Sequence, residues 1–247
     1  MVKEKASDIR PETQAPGIDV VRILVLDTET TGLDHGVDEL IGLALVVLEV
    51  DRASGNLLRI VDRYQGLQEP TFELAPQAAE VLGYDNSFLA GHRFDVQRIS
   101  AMVQACELVV AHNAGFDRPF VEMAVPAFCQ RQWVCSLCDI DWWHLQAQEA
   151  ASVEYLARRA GYALEDFTPH EVADAMVHIL ARPLPVTREP GFAALINVAK
   201  GPFTKFVIDD PLRKLAPLMD AHGLVYSEHD KTWSVVLASE EAEAFQD

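Results

Sequence analysis

The chain has 247 residues, a formal net charge of −18 at pH 7, 49% hydrophobic residues and 23% charged residues. This length and balance suit a soluble globular protein with one sizeable domain plus an appendage, or two small domains. They exclude a broadly basic surface that coats nucleic acid, and no run approaches the roughly 20 apolar residues of a membrane-spanning helix.

Residues 1–19 are polar, contain Pro11, Pro16 and Gly17, and lack periodicity, so they are expected to form a flexible arm. The N-terminus has no apolar segment of the secretory type, and the expected compartment is the cytoplasm. Residues 20–27 form the first predicted strand. The run Leu40 to Val50 is nearly continuously apolar, as in a strand buried on both faces. A hairpin connection over Asp51 to Asn56 returns the chain as a third strand over 57–66.

Helical character follows. A short helix over Pro76 to Leu82 ends at Gly83, and Asp95 to Ala105 carries apolar residues at helical spacing. A buried strand is predicted over Glu107 to His112, a helix over Phe116 to Ala124 and a fifth strand over Trp133 to Leu137. Helices are predicted over 152–160 and 170–182. Antiparallel strands followed by alternating helix and strand predict an α/β domain over 20–182, a mixed five-stranded sheet flanked by helices.

Pro183, Pro185, Pro190 and Gly191 mark a boundary. Beyond it, 183–239 read as a linker and a small C-terminal α+β unit. Its expected parts are helices over 191–198 and 211–221 and a hairpin of 224–227 with 232–237; an acidic tail covers 240–247. In that unit Lys200, Lys205, Arg213, Lys214 and Lys231, with Phe203 and Trp233 between them, could track a single strand by charge and stacking. A packing or partner-docking module is the other reading.

The cysteines are Cys106, Cys129, Cys135 and Cys138, expected to be reduced in a cytoplasmic chain. The Cys135-x-x-Cys138 spacing invites a zinc or redox reading, with Cys129 and His144 as further zinc ligands. The alternative is that Cys135 lies in a strand and Cys138 caps it.

The chemistry concentrates in a few segments. Asp27-Thr28-Glu29 closes the first strand, and residues i and i+2 of a strand share a face, so Asp27 and Glu29 converge. Two such anions repel unless a cation lies between them, which marks a divalent metal site. Asp117 opens the helix after the buried strand that ends at His112. Thr168 suits a helix N-cap and Pro169 its first position, and His170 and Asp174 lie four apart on one face.

Together, Asp27-x-Glu29-Thr30-Thr31-Gly32-Leu33, His112-Asn113-Ala114-x-Phe116-Asp117 and His170…Asp174-Ala175 resemble the DEDDh 3′–5′ exonucleases. That group includes the proofreading subunit of bacterial replicative polymerases and has a ribonuclease-H-like fold. The resemblance covers roughly residues 20–182. Asp139-Ile140-Asp141-Trp142 and Lys231 to Val236 also look like a bacterial branch with a C-terminal extension.

The resemblance implies two divalent cations, Mg2+ or Mn2+, held by Asp27, Glu29, Asp117 and Asp174, with Asp27 bridging. It implies His170 as the base that takes the proton of the attacking water. It also places Thr30, Thr31, Leu33, His112, Asn113 and Phe116 near the terminal nucleotide. The His170–Asp174 spacing is one residue shorter than in most relatives, so His170 is expected in the first turn of its helix.

The expected function is a metal-dependent 3′–5′ exonuclease that acts on single-stranded DNA or RNA 3′ ends and releases nucleoside 5′-monophosphates. A DNA polymerase or repair complex is a possible partner class. The competing readings are an exonuclease-fold recruitment module and a phosphodiesterase for small nucleotides.

Overall fold

β-branched and leucine-rich runs at the start of the chain build three long strands, β1 (Val20–Thr30), β2 (Leu40–Asp51) and β3 (Leu57–Leu67). A computed structural model describes residues 17–140, 142, 151–165, 167–184 and 187–201, and the strand backbones of 203–209, 225–227 and 232–238. β2 is buried along its length except at Asp51. Each of its large apolar side chains contributes about 1.5–3 kcal/mol by leaving water.

Two short strands, β4 (Leu108–Ala111) and β5 (Gln132–Cys135), complete a sheet of order β3-β2-β1-β4-β5. β1, β2 and β3 are antiparallel neighbours, and β4 and β5 run parallel to β1. This is the mixed five-stranded sheet expected from the sequence. Across the first three strands, Arg22, Glu49 and Arg59 lie in register. Glu49 accepts from Arg22 at 3.0 Å and from Arg59 at 2.6 Å. The Arg59 hydrogen bond does most to hold the Glu49 pKa below its usual range.

One face of β1, carrying Leu24 and Leu26, packs under α3 (Val96–Gln104) and α4 (Ala114–Ala124) in a core with Ile99, Phe120 and Phe128. The other face carries Val25, Asp27 and Glu29 and meets α6 (Pro169–Leu180). The smaller helices are α1 (Pro76–Leu82), α2 (Asn86–Leu89), α5 (Val153–Arg159) and α7 (Gly191–Lys200). α2 was not anticipated. It is four residues long, and its signal is a single cap, Asp85, which accepts from the N–H groups of Ser87 and Phe88.

Other elements differ from expectation at their ends. β1 continues to Thr30, so Asp27 and Glu29 lie inside the strand, with a bulge after Glu29. α4 begins at Ala114 rather than Phe116, with Pro119 inside it. Asn113 turns into the left-handed region at φ 75°, and this allows the earlier start.

The chain divides into two compact units, Met1–Asn197 and Val198–Asp247. The division lies beyond the Pro183 boundary read from the sequence because most of α7 packs with the sheet domain; Phe192 is fully buried. The second unit contains a three-stranded antiparallel sheet, ordered β6 (Phe203–Asp209), β8 (Thr232–Ala238), β7 (Val225–Ser227). The hairpin is thus joined by β6, whose Phe203-Thr204-Lys205-Phe206-Val207-Ile208 has strand-forming composition. Residues 1–16 of the arm expected over 1–19, the 211–221 helix, the acidic tail, His144 and the basic-aromatic side chains beyond Gly201 lie outside the described residues. Among the described residues no helix is long and apolar enough to cross a membrane.

Gly55 fixes the turn between β2 and β3. It has φ +72°, and a Cβ there would run into the backbone nitrogen of Ala193 on α7. Gly55→Ala is therefore expected to cost about 2 kcal/mol through strain and overpacking. Urea denaturation should show a lower midpoint with an unchanged slope; an unchanged midpoint would remove this contact from the fold.

Candidate active site

The site forms where β1 outruns its neighbour. Pairing with β4 ends at Val25↔Val110, so the last residues of β1 have no partner strand on that side. Clefts beyond the carboxyl ends of parallel strands are the usual ligand sites of such sheets. On the β2 side, Asp27 lies opposite Ala44 and Glu29 opposite Gly42. These small residues interrupt a strand otherwise rich in Leu, Ile and Val. A Cβ on Gly42 would come within 2.6 Å of Glu29 Oε2.

α4 approaches the open edge and brings Asp117, which is 4% exposed. Thr28 Oγ1 donates to Asp117 Oδ1 at 2.6 Å. Tyr84, just after the α1 stop at Gly83, donates its hydroxyl to Glu29 Oε2. On α6, Asp174 accepts from Arg63 Nε at 3.3 Å, and its other oxygen lies 3.8 Å from His170 Nε2. Asp27 receives the Thr28 backbone N–H and, among the described residues, no side-chain donor.

These acids strain the electrostatics of the site. Burial pushes the Asp27 carboxyl well above its usual range, and the charges of Asp117 and Glu29 push it further. Burial also raises Asp117, to about 7, against the Thr28 hydrogen bond, and raises Glu29 against the Tyr84 hydrogen bond. Burial and the Glu29 contact raise the Tyr84 phenol in turn, so it stays a donor. Among the described residues no group of three or more His, Cys, Asp or Glu side chains stands together as a ready metal cage. Each of Glu29, Asp117 and Asp174 is held by a protein donor instead.

The remaining candidates divide by environment. Leu33 is 87% exposed, on the loop after β1. Thr30 donates its hydroxyl to the Gly32 carbonyl, whereas Thr31 is buried and ties the loop to Asp38 and Glu39. Phe116 packs on Phe120 with ring centroids 5.2 Å apart, and Asn113 is exposed at the α4 N-cap. His112 turns inward: Nε2 donates to the Ala151 carbonyl at 2.6 Å and Nδ1 lies 3.0 Å from Ser136 Oγ. Burial lowers its pKa.

His170 is in the first turn of α6, as its spacing predicts, with its side chain 39% exposed. Thr168 caps this helix by accepting from the Glu171 N–H. His178 is buried and packs on Tyr162. Cys135 ends β5, and Cys138 follows in the turn beyond it.

Sequence reasoning did not single out Tyr84, Arg63, Gly42 or Ala44. Gly42 and Ala44 had a signal: their spacing of two matches that of Glu29 and Asp27 on the neighbouring strand. Tyr84 and Arg63 had none, since their roles come from tertiary contacts.

Comparison with known proteins fits this geometry. A stretch of 144 residues, 58% of the chain, is 29% identical to the PolC-type DNA polymerase III of Thermotoga petrophila and, to the same degree, of Thermotoga maritima. It spans 9% of the length of those polymerases. Among solved structures, E. coli Exonuclease I in complex with a dT13 oligonucleotide shares the fold, with a TM-score of 0.51 at 14% identity over 68% of this chain and 41% of that one. Exonuclease X in complex with 5′ overhanging duplex DNA aligns with a TM-score of 0.49 at 19% identity, over 69% of this chain and 99% of that one. The RNase_T exonuclease family model matches residues 24–176, and the chain belongs to that family.

Proposed function

We propose that the chain hydrolyses the terminal phosphodiester bond at single-stranded DNA or RNA 3′ ends and releases nucleoside 5′-monophosphates. The observation that carries this reading is the buried Asp27 carboxyl, raised first by burial and then by the charges of Asp117 and Glu29. Burying carboxylates this close is unfavourable without protons or cations to offset them.

An all-oxygen donor set of Asp27, Glu29, Asp117 and Asp174 suits Mg2+ or Mn2+. Bound there, two such ions would supply an activated water and charge stabilisation for the departing oxygen. The protein donors now on these acids hold them in place: Thr28 on Asp117, Tyr84 on Glu29, Arg63 on Asp174. His170 is close enough to Asp174 to be oriented by it and exposed enough to take the proton of the attacking water. Leu33, exposed on the loop after β1, would press on the terminal base. The likeness to a stretch of PolC-type polymerases supports a 3′ end presented by a DNA polymerase.

With 5′-labelled single-stranded DNA or RNA and Mn2+, the expected product is a ladder shortening from the 3′ end. EDTA and Asp27→Ala should each abolish it. No cleavage of either substrate in Mg2+ or Mn2+ would sink the proposal. His170→Ala should lower kcat by about 10²–10⁴-fold while leaving Mn2+ affinity intact. A rate within a factor of about two of the parent would assign proton removal elsewhere.

Asp117 also sets a pH dependence. Its carboxyl rises from 3.8 to about 7 on folding, so between these values the folded chain keeps a proton that the unfolded chain releases. The contribution of Asp117 to the stability of the cation-free protein is therefore greatest at the acid end of this window and falls as pH rises to 7. Asp117→Asn, which keeps an acceptor for Thr28, should flatten this dependence and raise Tm at pH 8 by about 3 °C or more. Thermal melts in EDTA from pH 5 to 8 check it; a wild-type Tm that climbs across the range would be the opposite result.

A further inference from the structure

The nuclease reading does not use the Cys135-x-x-Cys138 pair, yet the fold builds a defined site around it. Cys135 is the last residue of β5. Its N–H donates to Asp139 Oδ2 at 2.6 Å and its carbonyl accepts the Asp139 N–H at 2.8 Å. These two bonds close a single turn with Cys138 inside it. Residues i and i+3 of such a turn stand roughly 5–6 Å apart at Cα, within the span of a disulfide.

Each thiol is the largest influence on the other's pKa. Cys135 Sγ accepts the N–H of Ala114, the first residue of α4, at 3.4 Å. Cys138 holds the Cys135 thiol below its ordinary pKa, with the Ala114 N–H helping and burial opposing. Cys138 is raised in turn by Cys135 and is exposed. The other cysteines differ. Cys106 is buried, its thiol pushed up to about 12 by burial. Cys129 is exposed, and its thiol points to the Glu122 carbonyl at 3.8 Å.

We infer that Cys135 and Cys138 form a redox-active dithiol, a modification site that hydrogen peroxide closes into an intramolecular disulfide. The Cys135 thiolate attacks the peroxide O–O bond, forms an S–O bond and expels hydroxide, which takes up the Cys135 proton as water. Cys138 then attacks the sulfenic sulfur, forms the S–S bond and displaces a second hydroxide, which leaves as water with the Cys138 proton. Two electrons pass from the thiols to the peroxide, giving one disulfide and two waters. The site lies at the head of α4, the helix that carries Asp117.

The test uses the full reduced chain, a small excess of hydrogen peroxide and mass spectrometry without reductant. The expected result is a loss of about 2 Da, located in the tryptic peptide 132–158 and reversed by dithiothreitol. In Cys138→Ser, dimedone should capture a sulfenic acid at Cys135. Oxidation at Cys129 in preference to this pair would overturn the inference. So would Cys135 and Cys138 both remaining open to alkylation after peroxide treatment. Neither outcome depends on whether the chain cleaves nucleic acid.

Discussion

Burial of the Asp27 carboxyl, with the charges of Asp117 and Glu29 bearing on it, is the constraint on which the rest of the site depends. The acids converge because a strand alternates its side chains and because β1 runs past the end of β4, so α4 can bring Asp117 to the open edge. Gly42 and Ala44 lie opposite the two β1 acids, and a side chain at Gly42 would push Glu29 aside. The remaining contacts answer the same charge: a threonine hydroxyl, a tyrosine hydroxyl and an arginine each hold one carboxylate.

That arrangement costs stability, and the cost is offset elsewhere. β2 is buried over nearly its whole length and runs between two antiparallel neighbours. The Arg22–Glu49–Arg59 triad crosses the three long strands in register. A slip of one residue would separate these partners and would also turn Asp27 and Glu29 to the opposite face. The register that buries the core is therefore the one that assembles the site.

Much of this was legible in the sequence because it rests on local rules. Period-2 spacing placed Asp27 beside Glu29, and Thr168-Pro169 fixed the start of α6, setting His170 and Asp174 on one face. What was not legible came from distant contacts. Arg63 lies 111 positions from Asp174, and Tyr84 lies 55 from Glu29. The true start of α4 depends on one residue, Asn113, adopting a left-handed conformation. β6 was missed although its composition suits a strand, because its pairing partner, β8, lies far along the chain. The inward hydrogen bonds of His112 emerge only when Ser136 and Ala151 come together around it.

The most direct test of a cation site at these acids is calorimetric titration of the cation-free protein with Mn2+ near pH 6.5, in two buffers of different ionisation enthalpy. Raised carboxyl pKa values require bound cations to displace protons, so the measured heat should differ between the buffers in proportion. Affinity should rise with pH, and Asp27→Asn should abolish the binding. An isotherm with no proton release, unchanged by Asp27→Asn, would contradict a cation site at Asp27, Glu29, Asp117 and Asp174.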